Sequence, residues 1–277
     1  MKRYRISEIF HSVQGEGRHT GVPSLFLRFW GCNFQCRGFG NAPMPNGPVE
    51  TLADFPVAET GCDTEYAWNP AYRHLSEELT VAEICDRLEA LAPRFHHEQS
   101  KQWTHLVVTG GEPMLSQTAL TDVLKAMAAR DNLPRFVTIE TNGTQLPRDP
   151  LAALIRSHYT DGTREWFWSA SPKLTLSGEA WDAAIRPDML AAYRDLSDAG
   201  QLKFVSDGSE GSWNDVARAA KFFRAAGIEW DVTIMPVGAT LARLEAVQTD
   251  ICLGALERGY RFAPRLHAWL FGNTPGT

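Results

Sequence analysis

The sequence predicts an α/β fold, an open partial (β/α) barrel of about six parallel strands. Two observations carry this. Short runs rich in branched and aromatic residues alternate with helix-periodic stretches from residue 80 to residue 258. The strands are too few to close an eight-stranded barrel. In such an arrangement the functional groups gather at the C-terminal ends of the strands.

The elements follow in order. Residues 24–30 (SLFLRFW) read as a buried strand that ends at Gly31 and Cys32. Across 38–61, Pro43, Pro45, Pro48 and Pro56 with intervening Asn and Gly describe an irregular loop. Thr80 reads as the N-cap of a helix over 81–91. Residues 105–109 form a strand, Gly110-Gly111-Glu112-Pro113 a turn, and 119–129 a helix. A strand over 136–140 and a short helix over 151–156 come next, then a strand over 166–170 leading into Ser171-Pro172-Lys173. Helices are expected over 188–199, 213–226 and 244–258, with strands over 202–205, 230–236 and, closing the chain, 267–271. We expect one domain over 1–277, without internal repeats or low-complexity segments.

Composition excludes several classes. The chain has 277 residues, 44% of them apolar, which suits a sizeable core rather than disorder. A net charge of −6 without a basic block disfavours nucleic acid and favours a small-molecule substrate. No apolar run follows the N-terminal charges and none is long enough to span a bilayer, so a cytoplasmic protein is expected.

Five cysteines in a reducing compartment do not make a disulfide framework. Cys32 and Cys36 are spaced CxxxC after a strand, and 25 residues separate Cys36 from Cys62. Three thiolates can hold three irons of a [4Fe–4S] cubane and leave the fourth open to an outside ligand. A structural zinc site favours four protein ligands, so it fits less well. Cys85 and Cys252 fall at apolar-patterned helix positions and read as core.

The flanking motifs sharpen this reading. In order they are Gln14-Gly15-Glu16-Gly17, Arg28 before Gly31-Cys32, Cys62-Asp63-Thr64, Gly110-Gly111-Glu112-Pro113, Glu140-Thr141-Asn142-Gly143 and Ser171-Pro172-Lys173. With them the chain resembles the 7-carboxy-7-deazaguanine synthase family of the radical S-adenosylmethionine superfamily, from about residue 6 to the C-terminus. Two departures stand out. The third cysteine is displaced from the usual CxxxCxxC spacing by an insertion at about 37–61, and Met235 stands where a polar residue is expected before Pro236.

The resemblance implies a radical SAM core with Cys32, Cys36 and Cys62 as cluster ligands. S-adenosyl-L-methionine would be bound by Gly110, Gly111, Glu112, Glu140, Ser171 and Lys173. The implied substrate is 6-carboxy-5,6,7,8-tetrahydropterin, and the product is 7-carboxy-7-deazaguanine with release of ammonia, in queuosine-type 7-deazapurine biosynthesis. Arg28 is the candidate clamp for the pterin carboxylate, or else a buried ion-pair partner. Gln14 and Glu16 are candidates for the pterin edge and His267 for a further substrate contact. Thr64 would be the protein ligand of Mg²⁺, and a segment at about 260–277 would close over the substrate. A flavodoxin or ferredoxin as electron donor and a homodimer are implied as well. The same three cysteines also suit a glycyl-radical-enzyme activase or a non-catalytic Fe–S or zinc protein.

Overall fold

The computed structural model describes residues 1–39, 49–57 and 61–277. Pro43, Pro45 and Pro48 of the expected loop lie outside the described residues. Around Pro56 the chain is irregular apart from a single 3₁₀ turn, Leu52–Asp54.

The chain opens with β1 (Arg3–Val13), antiparallel to β2 (Pro23–Phe29) and, on its other side, to β3 (Glu77–Thr80). Then follow α1 (Val81–Leu91), β4 (His105–Gly110), α2 (Gln117–Ala129), β5 (Phe136–Thr141), α3 (Asp149–His158) and β6 (Glu165–Ala170). Two short helices, α4 (Trp181–Ala184) and α5 (Pro187–Arg194), precede β7 (Gly200–Ser206), α6 (Glu210–Ala225) and β8 (Asp231–Pro236). The chain finishes with α7 (Leu241–Glu257), a two-residue β9 (Arg261–Phe262) and α8 (Leu266–Phe271). Among the described residues nine strands form one open sheet in the order β3-β1-β2-β4-β5-β6-β7-β8-β9, parallel from β2 onward.

Period-two alternation sorts the side chains of this sheet. Leu25, Leu27, Phe29, Val108, Ile139, Trp168, Leu202, Phe204 and Ile234 pack beneath the helices in the main core. The intervening Phe26, Arg28, Thr109, Glu140, Ser169, Lys203 and Met235 line a cavity on the opposite face. The α/β, open-sheet expectation therefore holds, with one sheet face covered by helices and the other lining the cavity.

Several local expectations need correction. β1 and β3 were not anticipated, because Arg3, Arg5, Glu8 and His11 break up the apolar pattern of β1. The helix expected over 188–199 stops at Arg194. There Ser197 Oγ bonds the Trp166 carbonyl at 2.6 Å, and the Trp230 indole bonds the Asp198 carbonyl at 2.8 Å, drawing the chain into β7. Residues 267–271 are helical rather than a strand, since β9 already occupies that edge beside β8. A six-residue apolar run suits either state. Cys85 is fully buried in the core, whereas Cys252 is only half-buried and outside it.

Thr80 caps α1 as expected, its hydroxyl accepting from the Glu83 N–H while the Glu83 carboxylate accepts from the Thr80 N–H. Thr80→Ala should cost about 1 kcal/mol, read as a lower urea midpoint with unchanged slope.

At the sheet end opposite the cavity, His105 stacks on Phe136 with ring centroids 4.5 Å apart, and His19 meets it edge-on at 5.1 Å. Burial pushes both imidazoles down to about 4, helped by the Arg18 charge at His19 and by His19 at His105. The unfolded chain therefore binds more protons between these values and the ordinary histidine value near 6.5. Stability should be complete above that value and fall as pH drops toward about 4. Urea titrations across this range check it, and His105→Phe should flatten the slope.

Candidate active site

The three cysteines arrive on two loops that bind each other. Gly31, at φ +116°, turns the chain out of β2 in a conformation that favours glycine. Its N–H donates to the Ala67 carbonyl at 2.7 Å, joining the Cys32 loop to the segment after Cys62. The Glu179 carboxylate accepts the N–H groups of Gln35 and Cys36, at 2.9 and 2.7 Å, and so holds the far end of CxxxC. Cys32, Cys36 and Cys62 pack round Phe34 and Ala184 in one small cluster. Cys32 Sγ accepts the Phe34 N–H at 3.4 Å and Cys62 Sγ the Trp68 indole N–H at 3.2 Å. Burial pushes the Cys32 thiol up to about 11 and Cys36 to about 12, and raises Cys62 as well. A bound metal reverses that preference, because a coordinating thiol is deprotonated.

The GGEP turn is fitted against this loop. A Cβ on Gly111 would stand 2.4 Å from the Gly31 carbonyl oxygen and 2.6 Å from Cys32 Cβ. That same carbonyl accepts the Glu112 N–H at 2.8 Å. Glu112 itself is buried behind the cavity wall. Its carboxylate accepts from the Met114 N–H, the Thr141 hydroxyl and the Asn142 N–H at 2.7–2.9 Å. Burial raises its pKa, against the pull of those bonds. Glu112 thus ties the ends of β4 and β5 together instead of lining the cavity.

The remaining residues surround a cavity of about 230 Å³ at the C-terminal ends of the parallel strands. It collects Gln14, Glu16, Arg28, the three cysteines, Thr64, Gly110, Gly111, Glu140, Ser171, Lys173 and His267, all picked out by the sequence. It also collects Asp63, Lys203 and Arg265, to which the sequence reading assigned no charge-pairing role. Glu16 sits between cations. Lys203 Nζ is 2.6 Å from Glu16 Oε2, and Arg265 Nε is 3.0 Å from Oε1. Arg265 also pairs with Asp63, and Lys203 stands 3.8 Å from Glu140. Burial alone would raise Glu16, but Lys203, Arg265 and His267 more than reverse it and hold the carboxyl well below its usual range. His267 is pushed down by burial and by Arg265, which favours the neutral ring.

Arg28 donates from Nε to Glu8 at 2.6 Å, and Tyr66 donates to the same oxygen at 2.6 Å. The Nη groups of Arg28 have no acceptor among the described residues, so an ion-pair role and an anion-binding role are compatible. Lys173 is the cavity cation with no carboxylate partner among the described residues; its Nζ lies 3.4 Å from Ser171 Oγ. Phe10 and Phe26, stacked at 4.8 Å, supply a flat apolar patch in the wall. Asn273 to Thr277 border the cavity after α8.

The donor set suits a cluster. Among the described residues no three His, Cys, Asp or Glu side chains converge as ligands of one metal ion. The three thiols instead border one cavity, as ligands of separate irons must. For Mg²⁺ the cavity offers the Thr64 hydroxyl, a thin protein shell suited to an ion that keeps waters and binds substrate oxygens.

Lys203→Met would strip Glu16 and Glu140 of a buried cation. It should cost about 3–5 kcal/mol, measured by chemical denaturation. Gly111→Ala should displace the Cys32 loop, seen as lower iron and sulfide retention after reconstitution at little change in far-UV circular dichroism.

No family model matches the chain. A 7-carboxy-7-deazaguanine synthase of Halobacterium salinarum is 32% identical, over 98% of this chain and 92% of that protein. Synthases of the same name from Rhodopirellula baltica and Pyrobaculum aerophilum are 30% and 28% identical, over 98% and 99% of this chain and 88% and 97% of those proteins. The crystal structure of QueE from Escherichia coli shares the fold with a TM-score of 0.51 at 18% identity, covering 96% of this chain and 95% of that one. Identity of this extent across nearly whole chains shows that the chain belongs to the 7-carboxy-7-deazaguanine synthase family.

Proposed function

We propose that the protein converts 6-carboxy-5,6,7,8-tetrahydropterin to 7-carboxy-7-deazaguanine with loss of ammonia, as a radical S-adenosylmethionine enzyme. One observation carries the reading: three thiols on two mutually bonded loops border a cavity that also holds, among the described residues, a lysine without a carboxylate partner and an arginine whose Nη groups have no acceptor. When bound at Cys32, Cys36 and Cys62, a [4Fe–4S] cluster supplies the electron that cleaves S-adenosylmethionine to a deoxyadenosyl radical.

The chain's own groups divide the remaining work. Lys173 offers its ammonium, with the Ser171 hydroxyl beside it, to the methionyl carboxylate. Glu140 accepts from ribose hydroxyls. Gln14 Nε2 donates to Glu140 at 3.1 Å and holds that carboxylate in place. Arg28 directs its Nη fork to the pterin carboxylate while Glu8 orients the guanidinium. Glu16, kept ionised by Lys203 and Arg265, accepts ring N–H groups of the pterin. Neutral His267 offers a further hydrogen bond to the substrate. The stacked Phe10 and Phe26 provide apolar surface for the flat ring. Thr64 would hold Mg²⁺, which would supply positive charge beside the substrate carboxylate. The segment after α8 shields the cavity from water. A flavodoxin or ferredoxin as electron donor, a homodimer and a cytoplasmic location complete the proposal. Among the described residues no helix is long and apolar enough to cross a membrane.

The test is anaerobic turnover of reconstituted protein with dithionite, S-adenosylmethionine, Mg²⁺ and the carboxytetrahydropterin. Formation of both deoxyadenosine and 7-carboxy-7-deazaguanine is expected. Deoxyadenosine alone would reject the substrate, and neither product from a fully loaded protein would reject the activity. Arg28→Lys, which loses the planar fork, should lower kcat/KM at least tenfold, with iron content unchanged.

A further inference from the structure

We propose that Trp68 sets the reduction potential of the cluster by donating its indole N–H to the sulfur of Cys62. The inference rests on the cluster assignment above and concerns a residue to which that assignment gives no task. Trp68 Nε1 lies 3.2 Å from Cys62 Sγ. An indole has a single donor and no acceptor, and this one has no other partner among the described residues. Side-chain donors to sulfur are not the rule for this chain's tryptophans: among the described residues the buried Nε1 atoms of Trp30, Trp166 and Trp168 have no partner, and those of Trp213 and Trp230 bond carbonyls.

The donor is held rigidly. Glu65–Ala67 form a 3₁₀ turn directly before Trp68. The Trp68 N–H bonds the Glu65 carbonyl at 3.1 Å, and Asn69 bonds both the carbonyl and the carboxylate of Glu65. Tyr66 is buried and anchored to Glu8 of β1, and the Ala67 carbonyl is anchored to Gly31 beside Cys32. The segment that carries the indole is therefore fixed to the sheet and to the other cysteine loop.

The physical effect has a definite sign. Reduction adds one negative charge, shared with the ligand sulfurs. An N–H dipole aimed at a ligand sulfur stabilises the reduced form more than the oxidised one and raises the potential. Removing the donor shifts the potential downward. Trp68→Phe removes the N–H together with part of the ring and keeps an aromatic side chain.

The experiment compares reconstituted full-length wild type and Trp68→Phe, matched in iron and sulfide content, by EPR-monitored redox titration without S-adenosylmethionine. The variant should be reduced several-fold less at a given solution potential; a tenfold change would correspond to about 59 mV for one electron. Equal midpoints in fully loaded proteins would overturn the proposal. A second measurement does not depend on the variant holding a cluster. Wild type labelled with ¹⁵N-indole should show a nitrogen hyperfine coupling to the reduced cluster, and the coupling should persist in Trp30→Phe. Its absence from wild type would equally overturn the proposal. A wild-type protein that assembles no cluster would overturn the cluster assignment and this inference together, whereas a cluster with an unmoved midpoint would sink this inference alone.

Discussion

Burying the Glu16 carboxylate is tolerable only because Lys203 and Arg265 are buried with it. Taking one of these ions out of water alone is costly, and the cost is offset only when geometry and hydrogen bonds are good. The rest of the site is arranged around that condition. Glu16 belongs to the segment after β1, Lys203 to β7, and Arg265 to the start of α8. Arg265 reaches on to Asp63, next to Cys62. One chain of alternating charges thus connects the segment after β1, strand β7, the C-terminal helix and the cysteine loop round one cavity.

The cysteine loops depend on backbone proximity more than on charge. Gly31 gives its N–H to Ala67, and its carbonyl accepts from Glu112, so one residue joins the two cysteine loops and the GGEP turn. A side chain at Gly111 would fill the space that the Gly31 carbonyl needs. The glycines therefore serve the fit of chain against chain before they serve a ligand. Glu112, hydrogen-bonded on both oxygens, acts in the same framework.

Much of the fold was legible because its strands are short apolar runs separated by helices with clear caps, as with Thr80 before α1. β1 was not, since its charges become sensible only beside their partners: Glu8 with Arg28 across the hairpin, and Arg5 with Glu78 on β3. The run around Trp269 could serve as helix or strand, and the contact of Leu266 with Gly15 that seats α8 is long-range. At the site, the cysteines and the turn motifs were legible together, through their order along the chain and the family resemblance that order carries. Lys203 left a weaker signal, a charge inside an apolar strand, which marks a buried partner without naming it. Arg265 and Trp68 left none beyond lying beside His267 and a few residues after Cys62, because their roles exist only once distant loops meet.

The edges of the sheet carry one more consequence. At one margin β3 is four residues long and shows Glu77 and Glu78 to solvent. At the other, β9 has two residues, with Arg261 exposed beside Asp231. Short, charged margins are poor templates for strand addition. β1 runs on past β3, which pairs with it only from Arg3 to Ile6, so among the described residues the later half of β1, not the short margins, is where a further strand would find an edge.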